Sequence, residues 1–407
     1  MKKSGAIAKM GIALVSLIPV LALTLAELSN AQPSDQSSVE TGVAPPPEGR
    51  PPTGPLRRTD SRKWEITLAI DLPAFHKGDD VAEALIVPVS ILDTWWQVDP
   101  RSFRARVSAD MVPVPDALTS LTVSQGRRGD SRAEVSLPPV VEDRLRAEVS
   151  WVVESWSCQL DEDVAAALKW PTSWPDEVER WRHASPGLDP AGPNIQALKR
   201  QVMTVISNDT PPLYVAKEII RTASRSLRSG NHQEGNPFGL RSRGIELWGV
   251  SQALSREVGS EADVACICVA LLRSMGFPAR PVIGLVDRKA RPGAGSSTKE
   301  LGMWGEVYLP KCGWIPFDPD RIRGGISAGS KLNQPWKGFG SDSDLNERVP
   351  ISHELDIRTP SGSDAGRTAS FATLCRLKAK LDQPGQGPTD ILIQTMLVSR
   401  GRGRGGS

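Results

Sequence analysis

The sequence predicts an α+β fold in which one buried helix packs on an antiparallel sheet. Residues 262–275 are almost wholly apolar, which is typical of a core helix, and Gly276 is a good residue to end it. Three short apolar segments follow as predicted strands, at 281–286, 303–309 and 313–317. The last two are joined by a turn containing Pro310 and therefore predict a hairpin. A helix followed by neighbouring strands is an α+β order.

The region before this helix predicts a small antiparallel β-sandwich-like domain. Apolar or alternating runs separated by turn-rich stretches lie at 64–72, 84–89 and 146–153. Trp95 and Trp96 are consecutive, so on a strand they point to opposite faces, and core packing is favoured over a carbohydrate-binding platform. Two amphipathic helices are predicted between the two domains, at 195–205 and 216–227.

Composition shifts divide the chain into six predicted segments. They are a signal peptide at 1–31, a Pro-rich linker at 32–62, the β domain at 63–157, the α+β domain with its helical lead-in at 158–340, a C-terminal extension at 341–398 and an Arg- and Gly-rich tail at 399–407. The apolar segments of the extension, 371–381 and 391–398, flank a Gly- and Pro-rich stretch and predict a terminal hairpin, with a helix for either arm as the alternative.

The N-terminus has the pattern of a bacterial secretory signal. Lys2, Lys3 and Lys9 precede an apolar stretch at 12–26, and Ser29-Asn-Ala31 fits a cleavage site with small residues. That stretch is short for a membrane span, so cleavage is favoured over a retained anchor. The sequence therefore predicts a periplasmic or secreted protein with no stable membrane span.

Charge and cysteine content limit the partners. The chain has 49 Lys and Arg against 47 Asp and Glu, a balance that does not indicate a nucleic-acid partner. It contains no zinc-type Cys/His spacing and no phosphate-binding glycine loop, so we predict no metal and no cofactor. Five cysteines leave at least one unpaired, and Cys158, Cys312 and Cys375 are the plausible disulfide partners in an exported protein.

Four segments in one order resemble the core of the transglutaminase-like, papain-related superfamily. They are Gly259-Ser-Glu-Ala-Asp263, Ala270-Leu-Leu-Arg-Ser-Met-Gly-Phe-Pro-Ala-Arg280, Met303-Trp-Gly-Glu-Val-Tyr308 and Trp314-Ile-Pro-Phe-Asp-Pro319. The resemblance is strongest over about 211–320. It implies a papain-like transglutaminase core, in which a cysteine at the start of the buried helix, a histidine and an aspartate on the strands form the catalytic triad.

The triad positions are degenerate in this chain. Glu261 stands at the cysteine position and Gly302 at the histidine position, and only Asp318 matches the triad. A thiol nucleophile needs a base to ionise it and a third group to orient that base. Cys266 and Cys268 lie along the body of the helix, so inert core residues are favoured over displaced nucleophiles. The resemblance with these substitutions implies a pseudoenzyme.

A histidine from elsewhere in the sequence is the remaining candidate for the catalytic base. The four histidines are His76, His183, His232 and His353, and none lies between the helix and Asp318. His232 lies in a loop rich in Gly, Asn and Pro from which it could swing inward, although a solvated loop histidine is favoured.

The predicted site is an acidic pocket formed by Glu261 and Asp318 next to Trp304. We expect it to hold a peptide or protein ligand, with preference for a cationic group, as a binding or scaffold module. One alternative is a hydrolase or transferase that uses these two carboxylates for acid–base work. Another is a structural or assembly role, in which Glu261 only stabilises a helix start beside Ser260 and Asp263.

Overall fold

The fold is taken from a computed structural model. It describes residues 54–72, 84–89, 94–109, 112–113, 121–125, 131–136, 145–229, 245–287, 299–325, 330–355, 357–358, 370–372, 376–378 and 396–399. The predicted signal peptide, most of the predicted linker and the Arg- and Gly-rich tail beyond Ser399 lie outside the described residues. In the described part of the chain, no helix is long and apolar enough to cross a membrane.

The secondary structure begins with strands, continues with helices and returns to strands. The strands are β1 (Leu56–Leu72), β2 (Ala84–Val89), β3 (Trp96–Val98), β4 (Arg104–Ala109), β5 (Val112–Pro113), β6 (Leu121–Gln125), β7 (Ser131–Ser136), β8 (Leu145–Leu160), β9 (Arg228–Ser229), β10 (Ile245–Leu247), β11 (Val258–Gly259), β12 (Ala279–Asp287), β13 (Lys299–Leu309), β14 (Gly313–Phe317), β15 (Val349–Ser352), β16 (Ile357–Arg358), β17 (Ser370–Ala372), β18 (Arg376–Lys378) and β19 (Met396–Ser399). The helices are α1 (Glu162–Ala166), α2 (Asp176–Glu179), α3 (Pro193–Met203), α4 (Pro212–Arg225), α5 (Val250–Arg256), α6 (Glu261–Ser274) and α7 (Pro319–Gly325).

The N-terminal β region is antiparallel, as the alternating pattern predicts. One sheet has the order β19-β1-β8-β4-β5 with β3 also paired to β8, and another has the order β18-β2-β7-β6. The strands of this region extend beyond the predicted range 63–157. Strand β1 begins at Leu56, inside the predicted linker 32–62, and β8 ends at Leu160, with which Leu56 is paired; the register shifts once, between Arg58 and Ser61.

The central helix α6 forms as predicted, and its ends are capped by the residues that the sequence marks. Ser260 and Asp263 form a capping box at its start, and Gly276 takes a left-handed conformation, with φ of 89°, just after its end. The helix is buried against α3 and α4 and against a four-stranded sheet of order β14-β13-β12-β15. The predicted hairpin is β13 and β14.

Two motif residues hold this sheet together from within. Arg280 on β12 lies directly opposite Glu306 on β13, and its Nε lies 2.7 Å from the Glu306 Oε2 atom. The Glu306 side chain is fully buried, and the Arg280 guanidinium lies 4.0 Å from the centre of the Trp314 ring. A buried carboxylate needs such a charge-assisted partner, so this pair is structural.

The predicted terminal hairpin falls mostly on residues outside the described ranges, so it stays a prediction, and the described strands of the C-terminal extension pair with other parts of the chain. Strand β15 joins the core sheet beside β12. Strand β17 pairs with β10, β18 with β2 and β19 with β1, so the two predicted arms complete sheets formed by distant parts of the chain.

The β region and the core share one hydrophobic cluster, so the predicted border near 157 does not separate two cores. Trp95 and Trp96 lie at this junction, both essentially buried. Their indole N–H groups donate to the carbonyl oxygens of Trp314 at 3.2 Å and of Arg348 at 3.0 Å. Core packing of this tryptophan pair is therefore confirmed.

Residues 330–348 run between these two parts and are fixed at both ends. The buried Lys217 side chain of α4 pairs with Glu162 and donates to the carbonyl oxygens of Leu332 and Gln334 at 3.1 and 2.9 Å. At the other end, the carbonyl oxygen of Asn346 accepts from Trp64 and Ser155 of the β region. Several charged side chains of this segment line the cleft that is described below.

Candidate functional site

The start of α6 is built by a local hydrogen-bond network. The Ser260 side chain accepts from the Asp263 backbone N–H at 3.1 Å, and the Asp263 Oδ2 atom accepts from the Ser260 N–H at 2.9 Å. Glu261 is the first helical residue and its side chain is exposed. A carboxylate in the first turn is stabilised by the helix dipole, so Glu261 suits this position whatever else it does.

Asp263 also fixes the loop that precedes α5. Its fully buried Oδ1 atom accepts from the backbone N–H groups of Trp248 at 2.8 Å and Gly249 at 3.2 Å. The same carboxylate therefore caps α6 and orders the 247–249 loop against the helix start. These hydrogen bonds give Asp263, a residue of the motif, a structural role.

Gly302, at the histidine position, lies on β13 opposite Gly284 of β12. A Cβ atom placed on Gly302 would lie 2.6 Å from Cγ2 and 2.9 Å from Cγ1 of Val286. Valine is stiff at χ1 and cannot rotate its methyl groups away without strain. The space where a side chain on Gly302 would begin is thus already filled.

Asp318 follows β14 and caps α7. One carboxylate oxygen accepts from the backbone N–H groups of Asp320 at 3.1 Å and Arg321 at 3.2 Å. The other oxygen lies 2.6 Å from Nη2 of Arg348. The aspartate that a catalytic histidine would use is therefore held by an arginine.

The Asp318–Arg348 pair belongs to a larger ionic cluster. The Arg321 guanidinium lies 3.0 Å from Asp342 and 3.1 Å from Asp344, and Arg348 also approaches Asp342 at 3.5 Å. Arginine suits such shared contacts because its planar fork donates in several directions. We call these five residues the Asp318 cluster.

Glu261, Gly302 and Asp318 line one open cleft with a volume of about 280 Å³. The remaining lining residues are Val286, Met303, Pro319, Asp320, Arg321, Asp344, Glu347 and Arg348. The cleft therefore presents five carboxylates but also two guanidinium groups. The sequence predicts a pocket formed by two carboxylates, and the structure differs in that one of them, Asp318, is ion-paired with Arg348.

Trp304 does not line the cleft, contrary to its prediction as a binding residue. It is fully buried, with its ring centre 6.0 Å from that of Trp96 and 5.4 Å from the Arg348 guanidinium carbon. Its side chain points to the β region because alternate residues of a strand face opposite sides, and the helix side is taken by Met303. The Trp304 ring therefore packs against the Arg348 guanidinium group.

The cysteines of the described residues are buried thiols. Burial raises the pKa of Cys266 well above its usual value and raises the pKa of Cys268 to about 12. Burial likewise raises the pKa of Cys312 to about 12, and Cys312 and Cys158 form no disulfide. Burial therefore disfavours the thiolate form that a nucleophile requires. Cys375, the third candidate for a disulfide, lies outside the described residues.

The two histidines that are described do not line the cleft. His183 is exposed, 3.9 Å from Glu179. His353 is buried against Trp181, with Nδ1 3.3 Å from the carbonyl oxygen of Pro281. His76 and His232 lie outside the described residues. Nor do the described ranges contain three or more His, Cys, Asp or Glu side chains grouped to hold a metal ion.

The residues that sequence reasoning missed are Arg321, Arg348 and their partners Asp342 and Asp344. Arg348 lies 30 positions beyond Asp318, in a segment rich in Gly, Ser and Asp that carries no motif. Arg321 could have been found, because a basic residue three positions after a helix cap lies close to the capping carboxylate.

Comparison with known proteins gives the following similarities. Residues 199–319 match the family model of the transglutaminase-like superfamily. A candidate cysteine protease from Cytophaga hutchinsonii is 12% identical over 85% of this chain and 99% of its own, with a TM-score of 0.49. Red sea bream transglutaminase is 13% identical over 76% of this chain and 60% of its own, with a TM-score of 0.28. No curated protein matches the chain.

Proposed function

We propose that this chain, whose residues 199–319 match the family model of the transglutaminase-like superfamily, is a pseudoenzyme which binds a peptide or protein segment at the Glu261 cleft. One observation carries the proposal. The cleft is present, but Glu261 and Gly302 stand where thiol chemistry needs a cysteine and a histidine. Methyl groups of Val286 fill the space that the first carbon of a side chain at Gly302 would need.

The charge of the cleft favours a cationic ligand. Two arginines are shared among Asp318, Asp342 and Asp344, and Glu347 is paired with Arg62 at 2.8 Å. Glu261 and Asp320, both exposed, add further negative charge at the rim. An ammonium or guanidinium group entering the cleft would be attracted by this excess, and salt would weaken the attraction.

Calorimetric titration with lysine-rich peptides tests this proposal. Glu261→Gln should weaken binding about two- to fivefold, the range for an exposed ion pair, while the melting temperature stays near that of the wild type. Asp209→Asn is the matched control, because it removes one negative charge from an exposed loop away from the cleft. Absence of binding by the wild-type protein, or equal binding by Glu261→Gln and the wild type, would leave the cleft a structural relic.

Activity assays test the loss of catalysis. The purified mature chain should show neither amine incorporation into glutamine peptides nor thiol-dependent peptide hydrolysis, since the described thiols are buried and burial raises the pKa of Cys266 and Cys268 on α6. Turnover that iodoacetamide blocks, and that Cys266→Ser or Cys268→Ser abolishes, would overturn the pseudoenzyme proposal.

A carboxylate-based hydrolase or transferase is the second candidate, because Glu261 and Asp318 do line the same cleft. The ion pair of Asp318 with Arg348 counts against it, since one carboxylate oxygen is held by the guanidinium group and the other by two backbone N–H groups. Peptide hydrolysis that persists in iodoacetamide and is lost in Glu261→Gln would favour this candidate.

Export belongs to the same proposal. The basic start, the apolar stretch and Ala31 support a cleaved signal and a periplasmic or secreted protein. N-terminal sequencing of the protein recovered outside the cytoplasm should begin just after Ala31.

A further inference from the structure

Three partly exposed aromatic side chains form a row that the proposed function does not use. Trp170 keeps 38% of its surface exposed, and Trp174 and Tyr308 are half-buried. The Trp174 ring centre lies 6.1 Å from that of Tyr308 and 6.3 Å from that of Phe277. Phe277 is fully buried and lies 4.7 Å from Trp170, so it supports both tryptophans from inside the core. We call Trp170, Trp174 and Tyr308 the aromatic row.

Two members of the row have polar groups to offer a ligand. Within the described ranges, the Trp174 indole N–H and the Tyr308 hydroxyl form no hydrogen bond. The Trp170 N–H, in contrast, donates to the carbonyl oxygen of Thr210 at 3.3 Å. Tryptophan and tyrosine usually pair these groups when their rings are covered. The row therefore suits a ligand that combines an apolar surface with carbonyl oxygens open to a donor.

A polyproline helix has this combination. Its proline rings are apolar, and its backbone forms no internal hydrogen bonds, so its carbonyl oxygens are open to donors. Proline-rich segments in this conformation dock into grooves lined by aromatic side chains.

The chain's own proline-rich segment, residues 44–53, leads directly to the row. Its sequence is Ala-Pro-Pro-Pro-Glu-Gly-Arg-Pro-Pro-Thr, and it lies outside the described residues. The next residue, Gly54, packs so closely on the turn between β13 and β14 that a Cβ atom placed on it would overlap the carbonyl oxygen of Lys311. Lys311 follows Tyr308 by three positions in this hairpin.

The length of the segment is sufficient to cover the row. Ten residues of polyproline helix span about 31 Å, at about 3.1 Å per residue. That length exceeds the three ring-to-ring steps from Tyr308 to Trp170 taken together.

The charges of the segment and the row are complementary. Asp176 and Glu177 are exposed and follow Trp174 by two and three positions. Burial and, next, the charge of Glu177 raise the pKa of the Tyr308 hydroxyl, so Glu177 lies close to the row. Arg50 is the one basic residue of the segment. It precedes Gly54 by four positions, which a polyproline helix extends over about 12 Å.

We propose that residues 44–53 dock on the aromatic row of the same chain as a polyproline helix. Pro51 and Pro52 pack on Tyr308 and Trp174, whose hydroxyl and N–H donate to carbonyl oxygens of the segment. Arg50 pairs with Glu177. The tether at Gly54 gives the segment an effective concentration on the order of millimolar, so a weak intrinsic affinity is enough to keep it docked. This inference does not depend on the Glu261 cleft.

Disulfide trapping in the full mature chain tests the proposal. Gly49→Cys is combined with Asp176→Cys in the test variant, which leaves Arg50 and Glu177 in place. Under mild oxidation this pair should form an intramolecular disulfide about tenfold faster than a control pair, because docking raises the local concentration of the two thiols. Peptide mapping by mass spectrometry identifies which cysteines are joined.

Gly49→Cys/Asp163→Cys is the matched control. Asp163 is also an exposed aspartate near the start of the described chain, because the N–H of the nearby Asp161 donates to the carbonyl oxygen of Pro55 at 2.8 Å. It lies on α1 rather than beside Trp174. The tether alone therefore brings both pairs within reach, and only docking favours the test pair.

Two further changes in the test variant identify the contact. Trp174→Ala removes a ring of the row, and Pro51→Ser/Pro52→Ser changes only the segment, so the second remains informative if the first does not fold. Each should reduce the trapping rate to that of the control pair. Equal rates for the two cysteine pairs would overturn the proposal, as would fast trapping that Pro51→Ser/Pro52→Ser leaves unchanged. A disulfide that joins two chains, in place of the intramolecular one, would overturn docking within one chain.

Discussion

Two arginine–carboxylate pairs of this protein contrast in where their partners come from. Arg280 and Glu306 lie opposite each other on neighbouring strands, and the Glu306 side chain has no exposed surface. Asp318 keeps 16% of its side chain exposed in the cleft and is paired with Arg348, which lies beyond the matched region 199–319. Both carboxylates belong to the motif, but only Glu306 finds its partner within it.

The difference separates motif residues that build the fold from those at the former site. A buried strand pair is self-contained, since register alone brings its two side chains together. Asp318, at the predicted triad position, is paired with Arg348 from residues 330–348. The Arg280–Glu306 pair therefore supports the sheet from within the motif, whereas Asp318 depends on a distant segment for its partner.

The largest expected effect is at the strand pair. Glu306→Gln should lower the free energy of unfolding by about 3–5 kcal/mol, because it leaves the buried Arg280 charge uncompensated. The double variant Arg280→Met/Glu306→Met replaces both charges by apolar groups and should recover much of that loss. Denaturant unfolding of the two variants measures this. A double variant as unstable as Glu306→Gln would show that packing, rather than charge, controls the pair.

A smaller effect is expected at Asp318. Asp318→Ala removes the cap of α7 and the partner of Arg348, and should cost about 1–3 kcal/mol. Asp318→Asn keeps an acceptor for the two backbone N–H groups and should cost less. Thermal unfolding of both variants distinguishes the cap from the ion pair, and an unchanged melting curve for Asp318→Ala would show that its carboxylate is effectively solvated.

The third prediction concerns Gly302, on the same strand as Glu306 and at the edge of the cleft. Gly302→Ala should cost about 1–2 kcal/mol, because its methyl group would overlap Val286. In a Val286→Ala background the same change should cost almost nothing. Denaturant unfolding measures both costs. Equal costs in both backgrounds would show that Val286 is not the obstacle, and no cost in the wild-type background would show that the position is open.

Local signals account for what sequence reasoning predicted well. The capping box of Ser260 and Asp263, the apolar run and Gly276 set both ends of α6, because each acts within a few residues. The β13–β14 hairpin follows from an equally short turn. The pairings of β15, β17, β18 and β19 with distant parts of the chain had no such local signal.

The same division holds for the site. From sequence alone, the order of motifs predicted the similarity of the core to the transglutaminase-like superfamily, and it placed Glu261 and Gly302 at the predicted cysteine and histidine positions. Only the tertiary structure decided that Arg348 would pair with Asp318 and that Trp304 would be buried against the Arg348 guanidinium group. A helix cap is chosen by neighbours along the chain, whereas a charged side chain is paired by whichever distant segment folding brings within a few ångströms.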